Sequence, residues 1–384
     1  MDFSFTPDQL QFRDTVRQFL AERCDFPARQ AALRGEPGWQ PDIWQAFAQE
    51  LGLLGLPLPE AAGGMAGSMV DVMVVMEEFG WALAVTPYLE SIVTCGHILS
   101  RSSHPKADEA LAEMAAGRLI ATLAWEESGT RCDFAALTAR ATPEGAGWRL
   151  TGRKDTVIAA PWATHALIAA RSHGQAGNAH GLSLFLVPLT TPGLTMSSYP
   201  TIDGKRAADI QFANMYVTEE ALIGPLHGAL PLLESARDAA IAAQCAEACG
   251  ILRRLLEDTV TYTKQRQQFG KPISSFQALQ HRMVDMYMQL EMALSATYLA
   301  VLKQDSSITE RATACSAAKV TVAQACRFIG QNAVQLHGGM GMTDDLAASH
   351  YFKRATAIEQ EFGTVDYHLD RYKNLSLAPK NQAA

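Results

Sequence analysis

The hydrophobic pattern of the sequence changes twice, and the two changes divide the chain into three parts. Up to about Arg118, and again after Pro225, apolar residues recur at the spacing of amphipathic helices. Between these points the pattern indicates six short strands separated by Gly, Pro, Asn or Asp: LIATLAW, ALTARA, WRLTG, HALIAA, GLSLFLVP and ADIQFANMYV. Because parallel strands need long, usually helical crossovers, strands without intervening helices favour an antiparallel sheet or barrel over a βαβ fold.

These patterns predict an α+β fold of three domains. An N-terminal helical domain spans residues 1–117, an antiparallel β domain 118–225, and a C-terminal bundle of long helices 226–384. The long helices are predicted over Ala229 to about Phe269, Phe276–Gln304 and Ile308–His337, followed by an HGGMG break and one shorter terminal helix. Helices of this length with apolar stripes seldom stand alone, so we expect a bundle that also makes subunit contacts.

Composition excludes several classes of function. A formal net charge of −8 disfavours nucleic acid as a partner, since phosphate binding needs clustered Lys and Arg. No apolar run approaches the roughly 20 residues of a membrane span, and the start of the chain, MDFSFTPDQLQFRD, lacks the pattern of a secretory leader. Seven scattered cysteines indicate reduced thiols and a cytoplasmic location. Cys245 and Cys249 lie one helical turn apart, but no His or acid spacing completes a metal site, so none is expected.

Local motifs of known chemistry are missing from the sequence. It contains no strand–GxGxxG–helix unit, Walker loop, HExxH or GxSxG. Composition and spacing alone therefore predict an oligomeric α+β protein without naming a cofactor.

Three segments, in order along almost the whole chain, resemble the acyl-CoA dehydrogenase family. They are LPLPEAAGGMAGSMVDVMVVMEEFG (56–80), YTKQRQQFGKPISSFQALQHRMVDM (262–286) and AVQLHGGMGMTDD (333–345). The resemblance implies FAD-dependent α,β-desaturation of an acyl-CoA thioester, with electrons passed to an electron-transferring flavoprotein. Such a site needs hydrogen bonds that polarise the thioester carbonyl and a carboxylate base that removes the Cα proton, while hydride leaves Cβ for the flavin.

The resemblance also implies which residues contact FAD. In the family, the Arg and Phe of an RxxFG segment reach the FAD of a neighbouring subunit, and a QxxGG turn approaches its adenine and pyrophosphate end. An Arg suits phosphate, and paired glycines allow close backbone approach. Taken singly, these residues would suit a surface ion pair or a helix stop; their joint spacing favours the cofactor. The matching positions here are Arg266, Phe269, Gln277, Gln335, Gly338, Gly339 and Thr364.

The β-domain side of the family site matches less well. AWEESGTRCD (124–133) keeps some of the family's strand-and-loop residues, and Trp125 and Cys132 are expected to approach the flavin through backbone atoms. Thr156 and Ile158 replace a Trp and a Thr that normally lie near the flavin ring. The adenine end of the site is therefore predicted to be intact and the ring end to be altered.

The family's usual base is missing. Counted from Gly341 without gaps, the family's Tyr-Glu-Gly-Thr becomes Glu361-Phe362-Gly363-Thr364, so Phe362 takes the place of the acid. Glu361 is one residue away, and its side chain is expected to point elsewhere by about 100° if the segment is helical. We interpret Glu361 as a solvated or paired acid.

Some family members carry the base on the helix before RxxFG, but the usual alternative position here is Ala240. Further along, Glu247 is the only acid in IAAQCAEACG (241–250). A lone acid among Ala, Cys and Gly is costly to bury without a purpose, and small neighbours leave room for a bulky acyl group. Glu247 is therefore the candidate catalytic base; the alternative is a structural partner of a buried Arg or Gln. Asp238 and Glu234 are expected to face solvent.

Three functions agree with these residues. The first is an acyl-CoA dehydrogenase, assembled as a homotetramer or as an α2β2 heterotetramer with a homologous subunit, and acting on a bulky (steroid-derived) or dicarboxylic acyl group. The second is a non-catalytic or half-site subunit of a heteromeric dehydrogenase that contributes to a partner's FAD site. The third is a flavin oxidase or monooxygenase, since a fold does not determine chemistry.

Overall fold

The computed structural model describes residues 5–377, and its first part is helical as predicted. Helix α1 begins at Pro7 because Thr6 and Gln9 form a capping box, in which each side chain accepts a hydrogen bond from the other's backbone N–H. The α-helices of this part are α1 (Pro7–Arg23), α2 (Phe26–Arg34), α3 (Pro41–Gln49), α4 (Met69–Ala82), α5 (Gly96–Leu99) and α6 (Pro105–Ala115). A π-helical segment, Leu89–Cys95, leads into α5.

The middle of the chain forms one eight-stranded sheet, largely antiparallel. Its strands are β1 (Ala121–Ala124), β2 (Arg140–Glu144), β3 (Gly147–Ile158), β4 (His165–Arg171), β5 (Leu182–Pro188), β6 (Leu194–Pro200), β7 (Arg206–Thr218) and β8 (Leu222–Ile223). The strand order is β6-β7-β3-β2-β4-β5-β8, and β1 pairs in parallel with β4. The sheet packs around a core that includes Trp148, Phe185 and Phe212.

Two of these strands, β6 and β8, were missed by the sequence pattern. Strand β6 reads LTMSSYP, and none of its residues is fully buried, because it pairs only with β7 at one edge of the sheet. An edge strand with polar residues has no apolar alternation to mark it. Strand β8 has two residues, which is too short for a periodic signal.

The last part of the chain contains the predicted long helices. They are α7 (Leu230–Gln265), α8 (Gln277–Leu302), α9 (Ile308–His337), α10 (Ala347–Gln360) and α11 (Val365–Leu377), with the short strands β9 (Gln267–Gln268) and β10 (Lys271–Pro272) between α7 and α8. Two corrections follow. Helix α7 ends four residues before Phe269, and the single predicted terminal helix is two helices, since Phe362 and Gly363 adopt positive φ angles of 58° and 118° that interrupt it.

The chain divides into two compact units, each built from segments that are separate in the sequence. The first comprises residues 1–30, 73–84 and 241–384, and the second comprises 31–72 and 85–240. The predicted domain limits of 1–117, 118–225 and 226–384 remain a prediction. Within residues 5–377, no helix combines the length and the apolar character needed to cross a membrane.

Within the first unit, helices α4 and α7 approach each other closely through two glycines. A Cβ atom at Gly80 would lie 1.9 Å from the carbonyl oxygen of Glu247, and one at Gly250 would lie 2.0 Å from that of Glu77. Both obstacles are backbone atoms of a neighbouring helix and cannot rotate away. Glycine is therefore required at both positions, and α7 is held against α4 at the turn that carries Glu247.

In the second unit, a buried ion pair organises the loop after β1. The ammonium of Lys154 donates to Glu127 Oε1 at 2.6 Å, and Glu127 also accepts hydrogen bonds from Thr138 and from the backbone N–H of Ala139. Burial alone would raise the pKa of Glu127, but the charge of Lys154 and these hydrogen bonds outweigh it and lower the pKa below 4.5. Burial lowers the pKa of Lys154 to about 8 despite its partner, so both groups are charged at neutral pH.

Gly250→Ala should destabilise the protein by about 1–3 kcal/mol, because α4 and α7 must separate to admit the methyl group. Urea denaturation followed by circular dichroism measures this change. Gly35→Ala is the matched control, since its Cβ would meet only ordinary contacts of 3.5 Å or more. Equal stability of the two variants would show that the helices are not closely packed.

Glu127→Gln should destabilise the protein by about 3–5 kcal/mol at pH 7, because it leaves the buried ammonium of Lys154 without its counter-charge. The folded-state pKa of Glu127 is lowered, so its contribution is present above the unfolded value and is lost as the pH falls through the folded value. The difference in urea midpoint between the two proteins should therefore shrink below about pH 4.5. Glu144→Gln, which breaks the exposed pair with Arg149, should have no measurable effect at either pH.

Candidate functional site

A tight turn after α7 holds Arg266 and Phe269 at the surface. Strands β9 and β10 pair in antiparallel register, and Phe269 and Gly270 between them have positive φ angles of 55° and 79°. The Phe269 side chain is 90% exposed, and Arg266 is exposed as well. An exposed aromatic ring and an exposed guanidinium on one turn have the chemistry to contact a ligand outside the chain.

The last turn of α9 leads into a second exposed backbone segment. Gln335 is exposed, and Gly338 begins a 3₁₀ turn with a φ of 62°. A Cβ atom at Gly338 or Gly339 would meet no atom within 4 Å, so open space lies beside this backbone. Gln277, the first residue of α8, is exposed in the same way. The bare backbone at Gly338 and Gly339 suits close approach by a phosphate or by another chain.

Thr364 lies in a cavity of about 530 Å³ within the first unit. Helix α9 contributes Arg327 and Gln331 to its lining, and Asp366 comes from α11. Arg327 also pairs with Glu359 of α10. The volume falls in the usual range for ligand sites, and the guanidinium, amide and hydroxyl groups suit the polar parts of a nucleotide.

The second unit brings Trp125 and Cys132 to one aromatic cluster. The rings of Trp125 and Phe134 meet edge to face with centroids 4.8 Å apart, and the guanidinium of Arg237 lies 4.9 Å from the Phe134 centroid. Arg237 also donates to the carbonyl oxygen of Cys132 at 3.0 Å, and Cys132 has a positive φ of 64°. The Trp125 carbonyl accepts a hydrogen bond from Lys154.

Glu247, the candidate base, is buried and bound to an arginine. Arg354 of α10 donates from Nε to Glu247 Oε1 at 2.7 Å and from Nη2 to Oε2 at 2.9 Å. This is the buried-arginine partnership that the sequence left open as the alternative. A guanidinium holds a carboxylate in its ionised form, the form that can accept a proton, but it opposes protonation as well. The pairing alone therefore does not assign the role of Glu247.

Glu361 binds the same guanidinium, which corrects the expectation that it points away. Helix α10 ends at Gln360, and Glu361 has extended φ and ψ angles of −64° and 142°, so the helical 100° rotation does not apply. Its carboxylate accepts hydrogen bonds from Arg354 Nη1 at 2.6 Å and from the side-chain amide of Gln244. The interpretation of Glu361 as a paired acid agrees with this geometry.

One further expectation about α7 is wrong, and a second gains no support from the structure. Asp238 is completely buried, whereas it was expected to face solvent with Glu234. The small residues near Glu247 were expected to leave room for an acyl group, but Gly250 and the turn carrying Glu247 pack against α4. Small side chains there allow close helix packing and give no evidence of a roomy pocket.

Two arginines that pair with buried carboxylates of the site were not predicted from the sequence. Arg354 and Arg327 occupy helical positions in no motif, and nothing in the local pattern separates them from surface arginines. A signal for Arg354 did exist: an acid predicted to be buried on α7 needs a cation, and KRATAIEQE offers candidates. Choosing among them requires the packing of α10 on its neighbours.

Comparison with known proteins agrees with the resemblance read from the motifs. Family models match in chain order: the acyl-CoA dehydrogenase N-terminal domain over residues 6–118, the middle domain over 122–215 and the C-terminal domain over 239–373. A mitochondrial short-chain specific acyl-CoA dehydrogenase of Mus musculus is 30% identical over 82% of this chain and 77% of its own. Acyl-CoA dehydrogenase IpdE2 of Mycolicibacterium smegmatis is 29% identical over 91% and 93%.

A solved structure shares both fold and moderate sequence identity. A variant of the steroid ACAD Tcur3481-Tcur3483 superposes with a TM-score of 0.86 at 28% identity, covering 96% of this chain and 97% of its own. The helical, sheet and helical parts predicted from the pattern are confirmed by this agreement. With three domain matches and a relative of this identity, the chain belongs to the acyl-CoA dehydrogenase family of oxidoreductases.

Proposed function

We propose that the protein catalyses the FAD-dependent α,β-dehydrogenation of an acyl-CoA thioester in the cytoplasm and passes the electrons to an electron-transferring flavoprotein. The observation that carries this proposal is the match of all three family domains, in order, on a chain that keeps the RxxFG and QxxGG segments. FAD, when bound, supplies the acceptor for the hydride that leaves Cβ.

The residues present fit such a cofactor. The cavity beside Thr364 is lined by amide groups, the Arg327–Glu359 ion pair and Asp366, and its amide and hydroxyl groups suit hydrogen bonds to a nucleotide. The open backbone at Gly338 and Gly339 permits close approach of a pyrophosphate. At the ring end, backbone groups of Trp125 and Cys132 are the proposed contacts. Arg266 and Phe269 are proposed to reach FAD held by a neighbouring subunit, and Gln277 and Gln335 are proposed as further FAD contacts. The exposure of these residues supports the assignments.

For the proton transfer we assign Glu247 as the base that accepts the Cα proton. Phe362 has no ionisable group at the usual position, and Glu247 is a buried carboxylate on the helix from which some family members supply their base. Its ion pair with Arg354 keeps it deprotonated before the reaction, as a base must be.

For the substrate we favour a bulky, steroid-derived acyl-CoA. The support is the steroid ACAD, 28% identical over nearly the whole chain. Gly250, one of the small residues of α7 that suggested a bulky group, packs against α4 and gives no support for it.

The assembly is proposed to be a tetramer, either homomeric or α2β2. One side of α8 carries large apolar side chains that are about half exposed in the single chain, an arrangement typical of a subunit interface. They are Val284, Tyr287, Met288, Met292, Leu299 and Leu302. The exposed cofactor residues also support the second candidate function, in which this chain is a half-site subunit completing a partner's FAD site.

Glu247→Gln should lower the rate of dehydrogenation by on the order of 100-fold or more, because a general base contributes that much to proton abstraction. FAD absorbance and circular dichroism should stay unchanged. Flavin bleaching with butanoyl-CoA and with the ring-bearing 3-cyclohexylpropanoyl-CoA measures the rate. Glu361→Gln is the comparison variant and should keep most of the activity, because its carboxylate is not the proposed base. Near-normal turnover in Glu247→Gln together with inactivity of Glu361→Gln would reassign the base.

Purified alone, the chain should contain equimolar FAD, which bleaches on addition of acyl-CoA under anaerobic conditions. Flavin counting against protein mass measures the ratio, and oxygen consumption without an added acceptor tests for oxidase chemistry. A colourless chain that gains flavin and activity only when co-expressed with a homologous subunit would favour the half-site function instead.

A further inference from the structure

Arg354 lies between two carboxylates that come from different elements of the first unit. It donates two hydrogen bonds to Glu247 of α7, at 2.7 and 2.9 Å, and two to Glu361 at the end of α10, at 2.6 and 3.3 Å. The side chains of Arg354, Glu247 and Glu361 are only 4, 8 and 19% exposed. Because a guanidinium is planar and always charged, these bonds set the direction of both carboxylates.

The second carboxylate changes what happens when the first takes up a proton. If Glu247 were the only counter-charge, its protonation would leave a buried guanidinium uncompensated, which costs several kcal/mol. Glu361 remains bound to Arg354, so the guanidinium keeps one anionic partner whether Glu247 is charged or neutral. Gln244 donates a further hydrogen bond to Glu361 and holds it in this place.

We propose that Arg354 is the positioning residue of the proton-transfer step, which orients Glu247 as an anion, and that Glu361 is the counter-charge that lets Glu247 accept the proton. This inference rests on the proposed assignment of Glu247 as the base. The proton moves from the substrate Cα to a carboxylate oxygen of Glu247, and the ion pair of Arg354 with Glu361 persists through the transfer.

Other ionisable groups face the same cluster from α7 and α9. Lys319 of α9 donates to Gln244 Oε1 at 3.2 Å and to the carbonyl oxygen of Ile358. Burial lowers the pKa of Lys319. Burial also raises the pKa values of Cys245 and Cys326 to about 12, so both thiols are neutral at physiological pH. Helix α4 meets the Glu247 turn through the backbone contact of Gly80. Besides Arg354, Lys319 is thus the cation of this cluster whose titration the pH profile must take into account.

The test is the pH profile of α-hydrogen exchange, which reports on the base without requiring net oxidation. Acyl-CoA incubated with the holoenzyme in D₂O, co-expressed with a partner subunit if one is required, exchanges its Cα hydrogen only if a base removes it. Arg354→Gln should slow the exchange on the order of 10–100-fold. Its acid limb should move to higher pH by about 1–3 units, because loss of a nearby cation favours the protonated carboxylate. Arg354→Lys should restore part of the exchange rate and move the acid limb part of the way back.

Glu361→Gln should shift the acid limb in the opposite direction, to lower pH. The guanidinium then faces one carboxylate instead of two and favours its anionic form more strongly. Arg17→Lys is the matched control: Arg17 makes a similar two-bond pair with the buried Glu78, at 2.7 Å for both bonds, on other helices of the unit. This control should leave the profile unchanged.

Infrared difference spectroscopy gives a second readout that needs no substrate. The protonated-carboxyl band that disappears in Glu247→Gln should emerge at higher pH in Arg354→Gln than in the unmodified protein. Equal profiles and equal bands in these two proteins would overturn the positioning role even if Glu247→Gln is inactive. If Glu247→Gln still exchanges the Cα hydrogen at the normal rate, the proposed base itself is wrong. Failure of the positioning role of Arg354 and failure of the base assignment therefore give different results.

Discussion

The buried guanidinium of Arg354 is the interaction on which the interior of the helical unit depends. A permanent charge with 4% side-chain exposure must be matched by anions in contact with it. The anions arrive from α7 and from the residue that ends α10, so the ion pairs tie together elements that are distant in the chain. Removing one carboxylate would leave the guanidinium with one anionic partner, and removing Arg354 would leave Glu247 and Glu361 without the cation that binds both. The arrangement therefore also holds α7 and the end of α10 together.

The position of Glu247 is specified from its other side by close helix packing. Gly80 and Gly250 let the backbones of α4 and α7 approach so closely that no methyl group fits between them. The candidate base is therefore held between a rigid backbone contact and a two-bond ion pair. Precise placement of this kind is what a proton-transfer group requires, since small displacements reduce the rate strongly. It also means that Gly250 of α7 serves helix packing.

The segments that are proposed to contact the cofactor lie at the surface, in contrast to the buried Glu247 cluster. Phe269 lies at the surface, where its ring meets Phe276 edge to face, and a Cβ atom at Gly338 or Gly339 would have no atom within 4 Å. An exposed aromatic ring and bare backbone turns add little stability within one chain, and we propose that they contact a group outside it. The half-exposed apolar side of α8 leads to the same conclusion. One chain of this protein thus holds a buried cluster of charged residues and, at its surface, the residues proposed to contact FAD.

Much of the architecture followed from the sequence alone. The change from helical to alternating periodicity located the β region, the motifs at 262–286 and 333–345 identified the family, and Phe362 revealed the missing acid. Such features are local, so a linear pattern can carry them. The edge strand β6 escaped because its exposed residues have no pattern to read.

Only the tertiary structure decided which group Glu247 and Glu361 bind. Glu247 is 107 residues from Arg354, and no local period links them. Glu361 reaches the same guanidinium because α10 stops one residue earlier and the chain turns extended. Charge pairing depends on distance in space, which a one-dimensional pattern does not report, and on burial, which makes the pairing obligatory.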